Sequence, residues 1–282
     1  NVLLTCGGYA SNPDMVEDLE GHTDYGDVAY SYSQGAGITL GTAAGGYVRG
    51  GNHHLPSFGS ILQDDNFPSP RLARFISYPP HRPPWEIYVN VHGERFLRED
   101  MISHDVREHA LVNQPEERCW AVFDDTTLNE APPAVGGWTR DEIKDAFDSQ
   151  PMFYRADTLE DLADATGIDK NGIVKTVARY NRGQNGGKDA LGREFMPRPI
   201  TAGPFYAIRI QGSQLISWAG LAVDGQLRVV RQDGTAIPNL YAAGELLGTD
   251  QFMGDSYCGG MLVTPALTFG RLLGDSILSF DI

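Results

Sequence analysis

Apolar and polar residues follow one another with a period that changes along the chain, and each change marks an element. Val2-Leu3-Leu4-Thr5 is an apolar run broken by Gly7-Gly8, which predicts a short buried strand. Ser11-Asn12-Pro13-Asp14 supplies turn and N-cap chemistry, and Met15, Val16 and Leu19 then recur at helical spacing. Behind the Ser33 to Gly37 turn, Ile38, Leu40 and Ala43-Ala44 make one apolar helical face. Glu86 to Val91 alternates as a strand does, His92-Gly93 turns the chain toward Arg95-Phe96, and Trp120 to Phe123 is another short strand.

Two helices are predicted next. Thr158-Leu159-Glu160-Asp161 opens the first like a capping box and Gly167 stops it, while Ile173, Val174, Val177 and Tyr180 give the second a core-facing stripe. Residues 183–205 read as loop. Asp224-Gly225 between two apolar runs is a hairpin signal, and Asn239 to Ala243 is a buried strand ending in Gly244-Glu245. Thr264 to Ile277 reads as the last helix, apolar at Leu267, Leu272 and Leu273. Between His53 and Pro84 the composition turns to Pro, His, Asn and Arg, which marks a crossing into a second unit.

The chain has 282 residues, enough for two compact units, and its 41% hydrophobic content is ordinary for a globular protein. A formal net charge of −15 with no basic run argues against nucleic acid or an anionic membrane as partner. Cys6, Cys119 and Cys258 are odd in number and lack metal-ligand spacing, which favours a reducing, cytoplasmic compartment over a disulfide framework. No apolar run reaches the length of a membrane span. The chain opens at Asn1 directly into an apolar strand, so a preceding segment of the same protein is expected as a partner.

Three stretches then carry chemistry: Gly220 to Val223 with Ile237 to Glu245, the run Gly259-Gly260-Met261-Leu262-Val263 through Pro265 to Gly274, and Val89 to Glu99. In this order they resemble the FAD-dependent fumarate reductase, succinate dehydrogenase and 3-ketosteroid dehydrogenase superfamily, and the resemblance covers most of the chain. It implies FAD as cofactor. The fold it implies is the C-terminal, incomplete part of an α/β FAD-binding domain over residues 1–52 and 206–282, with an inserted α+β capping domain over 53–205.

By the same resemblance, Gly244 permits close backbone approach and Glu245 bonds the ribityl chain. Gly260, Leu262 and Val263 open a helix whose first N–H groups face the pyrimidine edge of the flavin and stabilise its anionic reduced form. No Gly-x-Gly-x-x-Gly follows a strand, and Gly35-Ala36-Gly37 lacks the third glycine, so the ADP half of FAD has no complete site in this sequence.

The reductase branch grips a dicarboxylate with His and Arg, because carboxylates call for charge-assisted donors. At the corresponding positions this sequence has Ile216 and Tyr257. The ketosteroid branch places a tyrosine there, which with a backbone N–H four residues on, here Met261, polarises a ketone oxygen while a base removes a neighbouring proton. Glu99 matches the family carboxylate, but His104-Asp105 follows with altered spacing, and His53 and His54 sit in a Pro-rich loop. The activity expected of the full-length parent is dehydrogenation or reduction of a C–C bond next to a carbonyl, with a small ketone or enone as substrate, while this chain alone is expected to bind FAD weakly or not at all and to be inactive. A fumarate-reductase-like organic-acid reductase and a non-catalytic fragment unable to hold FAD are the alternatives.

Overall fold

The computed structural model describes residues 1–23 and 25–277. The chain divides into two units, Asn1–Leu55 with Gln214–Ile282, and Pro56–Ser213.

The first unit starts with strand β1 (Val2–Leu4), helix α1 (Pro13–Glu20) and helix α2 (Ala36–Ala43). α1 begins where it does because the Asn12 side chain accepts from Met15 N and Pro13 takes the first turn, where its missing N–H costs nothing. It stops at Gly21, which adopts φ +74°. In α2 only Ile38 of the expected apolar face is buried, and Leu40 is exposed. Gly37 and Gly41 instead let the helix approach Leu246 and Leu221 so closely that a Cβ at either site would clash.

The second unit contains strands β2 (Ser57–Leu62), β3 (Ser69–Arg74) and β4 (Ile87–Val89), helix α3 (His104–Val112), strand β5 (Arg118–Asp124), helix α4 (Arg140–Ser149) and strand β6 (Phe153–Ala156). Helices α5 (Leu159–Thr166) and α6 (Lys170–Gln184) and strand β7 (Phe205–Ser213) complete it. The antiparallel sheet runs in the order β3-β2-β7-β5-β4, with β6 on the N-terminal half of β7. Successive side chains of a strand point to opposite faces. Ala121 and Ile208 therefore join one core with Phe75, Tyr88 and Leu111, while their neighbours Val122 and Ala207 join another with Leu162, Ile173 and Val177. β7 pairs with β5 from Phe205 to Gln211 and with β2 as far as Ser213, which moves the unit boundary from the expected 205/206 to 213/214.

The chain then returns to the first unit through β8 (Arg228–Val230), β9 (Ala236–Ala242) and α7 (Val263–Ser276). β9 lies between β8 and β1, parallel to β1, with Leu3 opposite Tyr241 and Leu4 opposite Ala242. The hairpin expected around Asp224-Gly225 shrinks to a single bridge between Val223 and Val229, because Leu227 takes φ +61° and the Asp224 side chain ties down the amides of Gln226 and Arg228. In α7 only Leu273 of the three expected core leucines is buried. Leu267 and Leu272 are 70% and 53% exposed.

Candidate functional site

Strands β1 and β9 are parallel neighbours, so their carboxyl ends deliver two turns to the same edge of the sheet, the place where open α/β sheets bind ligands. β1 leads into Cys6-Gly7-Gly8 and β9 into Ala243-Gly244-Glu245. Gly244 turns the chain with φ +80°, a conformation side chains disfavour. Gly8 is required for a different reason: a Cβ there would stand 2.0 Å from Ser217 Oγ and 2.8 Å from Glu245 Oε1.

Ser217 binds the two turns together. Its hydroxyl accepts from Tyr9 N at 2.7 Å and donates to Glu245 Oε1 at 3.2 Å, and its own N–H donates to the same oxygen at 2.9 Å. Burial pushes the Glu245 carboxyl up; the two Ser217 hydrogen bonds oppose the shift, the negative charge of Glu20 adds to it, and the net direction is upward. Behind this pair, Glu20 Oε1 accepts from Tyr9 Oη at 2.6 Å and from Trp218 N at 2.8 Å, and Ala219 N donates back to Tyr9 Oη at 3.0 Å. Burial would raise the Glu20 carboxyl, but hydrogen bonds from His22, Tyr9 and Trp218 outweigh it and hold it below the usual range.

Beside Glu245 opens a cleft of about 320 Å³ lined chiefly by apolar side chains, among them Ile216, Phe252, Met261, Leu262 and Val263. No side chain caps the N-terminus of α7; Thr264 N donates to Gly260 O at 2.9 Å and Pro265 has no N–H, so the donors left where α7 meets the cleft are the N–H groups of Leu262 and Val263. Every hydrogen bond that the described residues give the Glu245 carboxylate falls on Oε1, which leaves Oε2 to accept from a ligand hydroxyl. A flavin fits such a donor set: a carboxylate for the ribityl hydroxyls, a helix N-terminus for the ring's electron-rich edge and an apolar wall for its rings.

Gly244, Glu245, Met261, Leu262 and Val263 thus lie together around one cleft, and Gly260 precedes them with φ +92°. Tyr257 is half-buried in the loop ahead of α7 and does not line the cleft. The Met261 N–H donates to Cys258 O at 3.2 Å, so in this conformation it closes a turn and does not point to a substrate. Glu99 belongs to the second unit and is fully buried. Arg95 grips both its oxygens, at 2.7 and 2.5 Å, Arg193 approaches at 3.0 Å and Tyr88 N donates at 3.1 Å. Sequence reasoning missed Ser217, Tyr9 and Glu20. The adjacent glycines at 7 and 8 were the one signal that something packs tightly there.

The sequence profile described as "FAD binding domain" matches residues 1–262. The chain belongs to this family. FAD is the family's cofactor. The chain is similar to a probable fumarate reductase of Shewanella frigidimarina, 31% identical over 67% of this chain and 30% of the relative. It is also similar to 4-oxocyclohex-2-ene-1-carboxylate 5-dehydrogenase of Sinomonas cyclohexanicum, 30% identical over 98% of this chain and 50% of the relative. To 3-oxosteroid 1-dehydrogenase of Mycolicibacterium smegmatis it is 30% identical over 67% of this chain and 37% of the relative. Among solved structures, the open conformation of a flavocytochrome c3 fumarate reductase aligns with a TM-score of 0.63 at 26% identity, covering 98% of this chain and 45% of the other. A 3-ketosteroid Δ1-dehydrogenase from Sterolibacterium denitrificans aligns with a TM-score of 0.72 at 21% identity, over 98% and 52%, a likeness of fold. The chain spans half or less of the length of these curated relatives. Among the described residues no helix is long and apolar enough to cross a membrane.

Proposed function

We propose that this chain holds the flavin-facing part of an oxidoreductase that adds or removes hydrogen across a C–C bond adjacent to a carbonyl, with a neutral cyclic ketone or enone as substrate. One observation carries the reading. At the two positions where the reductase branch carries a His and an Arg, this chain has Ile216, whose alkyl side chain lines the flavin cleft, and Tyr257, a phenol. A dicarboxylate would lose both charge-assisted donors, and unpaired anionic oxygens in an apolar site are costly. A flavin held by Glu245 and the start of α7 would supply the hydride-transfer chemistry.

The remaining roles fall to the chain itself. Glu245 holds the ribityl hydroxyls through Oε2, while Ser217 fixes its other oxygen. The N–H groups of Leu262 and Val263, at the start of α7, would stabilise the flavin ring. Tyr257 and the Met261 N–H polarise the substrate carbonyl, which requires Met261 to exchange its long bond with Cys258 O for one with substrate. Glu99, enclosed by Arg95 and Arg193, positions the second unit's ion pairs and transfers no proton.

An organic-acid reductase is the second reading, favoured by similarity to the Shewanella fumarate reductase. The test is Tyr257→Phe in the whole, FAD-loaded protein. Loss of one oxyanion donor is expected to lower turnover of a cyclic 3-ketone by roughly 10²–10³. Unchanged turnover with the ketone would remove Tyr257 from the reaction.

A further inference from the structure

We propose that Glu20, His22 and His54 form a binding site for one divalent transition-metal cation, with Zn²⁺ the best match to the ligand set. Glu20 ends α1, His22 follows it across Gly21, and His54 lies two residues ahead of Pro56, so two separate segments of the first unit converge. One ligand atom from each of the three side chains falls within 4.8 Å of the other two. His22 Nε2 stands 3.0 Å from Glu20 Oε2, and the rings of His22 and His54 lie with centroids 3.6 Å apart, their planes tilted by 33°.

Two imidazoles held this closely repel one another if both are protonated. As neutral rings each offers a lone pair in its plane, which is what a metal requires. A tetrahedral Zn²⁺ with bonds of about 2.0–2.1 Å holds its donor atoms about 3.4 Å apart, so small side-chain rotations bring all three into range. Two imidazoles with one carboxylate are a donor set for Zn²⁺ and neighbouring first-row cations, and three protein ligands leave one position for water.

The carboxylate is already aimed. Oε1 accepts from Tyr9 Oη and Trp218 N, and Oε2 accepts from Gln214 Nε2 at 2.9 Å, three donors independent of the histidines. Hydrogen bonds of this kind orient ligating carboxylates in metal sites. His53, next in the chain, stays outside the cluster: its Nδ1 lies 2.7 Å from Asp250 Oδ1. A metal bound here would tie the segment ahead of Pro56 to the end of α1.

The experiment strips the protein with a chelator, then titrates it with Zn²⁺ by calorimetry and with Co²⁺ by visible absorption. One equivalent should bind, with the intense ligand-field bands of tetrahedral cobalt and a rise in unfolding temperature. His22→Ala and His54→Ala, shown to be folded by circular dichroism, should each weaken binding by about 100-fold or more, beyond a typical outer-shell change. His53→Ala should bind as the parent does. If His22→Ala does not fold, His54→Ala decides alone. No saturable one-equivalent cobalt signal in the parent, parental affinity in folded His54→Ala, or an equal loss in His53→Ala overturns the site.

Discussion

Ser217 holds Glu245 with two hydrogen bonds to a single oxygen, Oε1, from its N–H at 2.9 Å and its hydroxyl at 3.2 Å. The same hydroxyl accepts from Tyr9 N. One small side chain therefore links the turn after β1 to the turn after β9, and it leaves the second carboxylate oxygen of Glu245 to a ligand.

Ser217→Ala should remove the acceptor of the buried Tyr9 N–H. An unsatisfied buried donor costs about 1–3 kcal/mol, and the urea midpoint of unfolding should fall accordingly. A midpoint equal to the parent's would show that Ser217 is not the link described.

Gly8→Ala places a methyl group 2.0 Å from Ser217 Oγ. Overpacking of this kind costs about 1–3 kcal/mol, and the displaced Ser217 should also loosen Glu245. In the whole, FAD-loaded protein, flavin loss on dialysis should be faster than in the parent. Parental stability together with parental flavin retention would contradict the close approach.

Glu99→Gln tests whether that carboxylate is structural. It neutralises the anion enclosed by Arg95 and Arg193, and breaking a buried pair by removing one partner costs about 3–5 kcal/mol. The expected result is a large loss of stability by denaturant titration. A folded variant of parental stability whose turnover alone collapses would return Glu99 to the reaction.

Glu108, on α3, is pushed up to about 8, first by burial and then by the charge of Asp105, against the opposing influence of Arg107 and Arg74. Folding therefore favours its protonated form. The stability this contributes is fully present below the ordinary glutamate value of about 4.3 and is lost as pH rises through about 8. Glu108→Gln should flatten that decline, so the variant gains on the parent above pH 8, by an amount on the order of 2–4 kcal/mol. Identical pH profiles of the unfolding midpoint would show that Glu108 titrates normally.

The sequence showed elements whose determinants are local. α1 is announced by Asn12-Pro13, α5 by Thr158 and Gly167, and β1 and β9 by apolar runs that end in glycine. β2 and β3, which pair locally with Ile61 opposite Ala73, were hidden in a stretch rich in Pro and Arg, and the other neighbour of β2 lies far along the chain: Ser60 opposes Gln211 and its hydroxyl meets Ser213 Oγ at 2.7 Å. α4 did carry a signal that went unread, a capping box from Thr139 to Glu142. The site divides the same way. Glu245 and the start of α7 were visible through a family resemblance, whereas Tyr9, Glu20 and Ser217 meet only after the chain has travelled roughly two hundred residues.

The most direct test of the whole account is turnover by the whole, FAD-loaded protein with an artificial dye as electron donor or acceptor, comparing fumarate with a panel of cyclic ketones and enones. Ile216 and Tyr257, in place of a His and an Arg, predict measurable turnover of at least one cyclic ketone or enone and little or none of fumarate. Rapid fumarate reduction with no response to any ketone would contradict it.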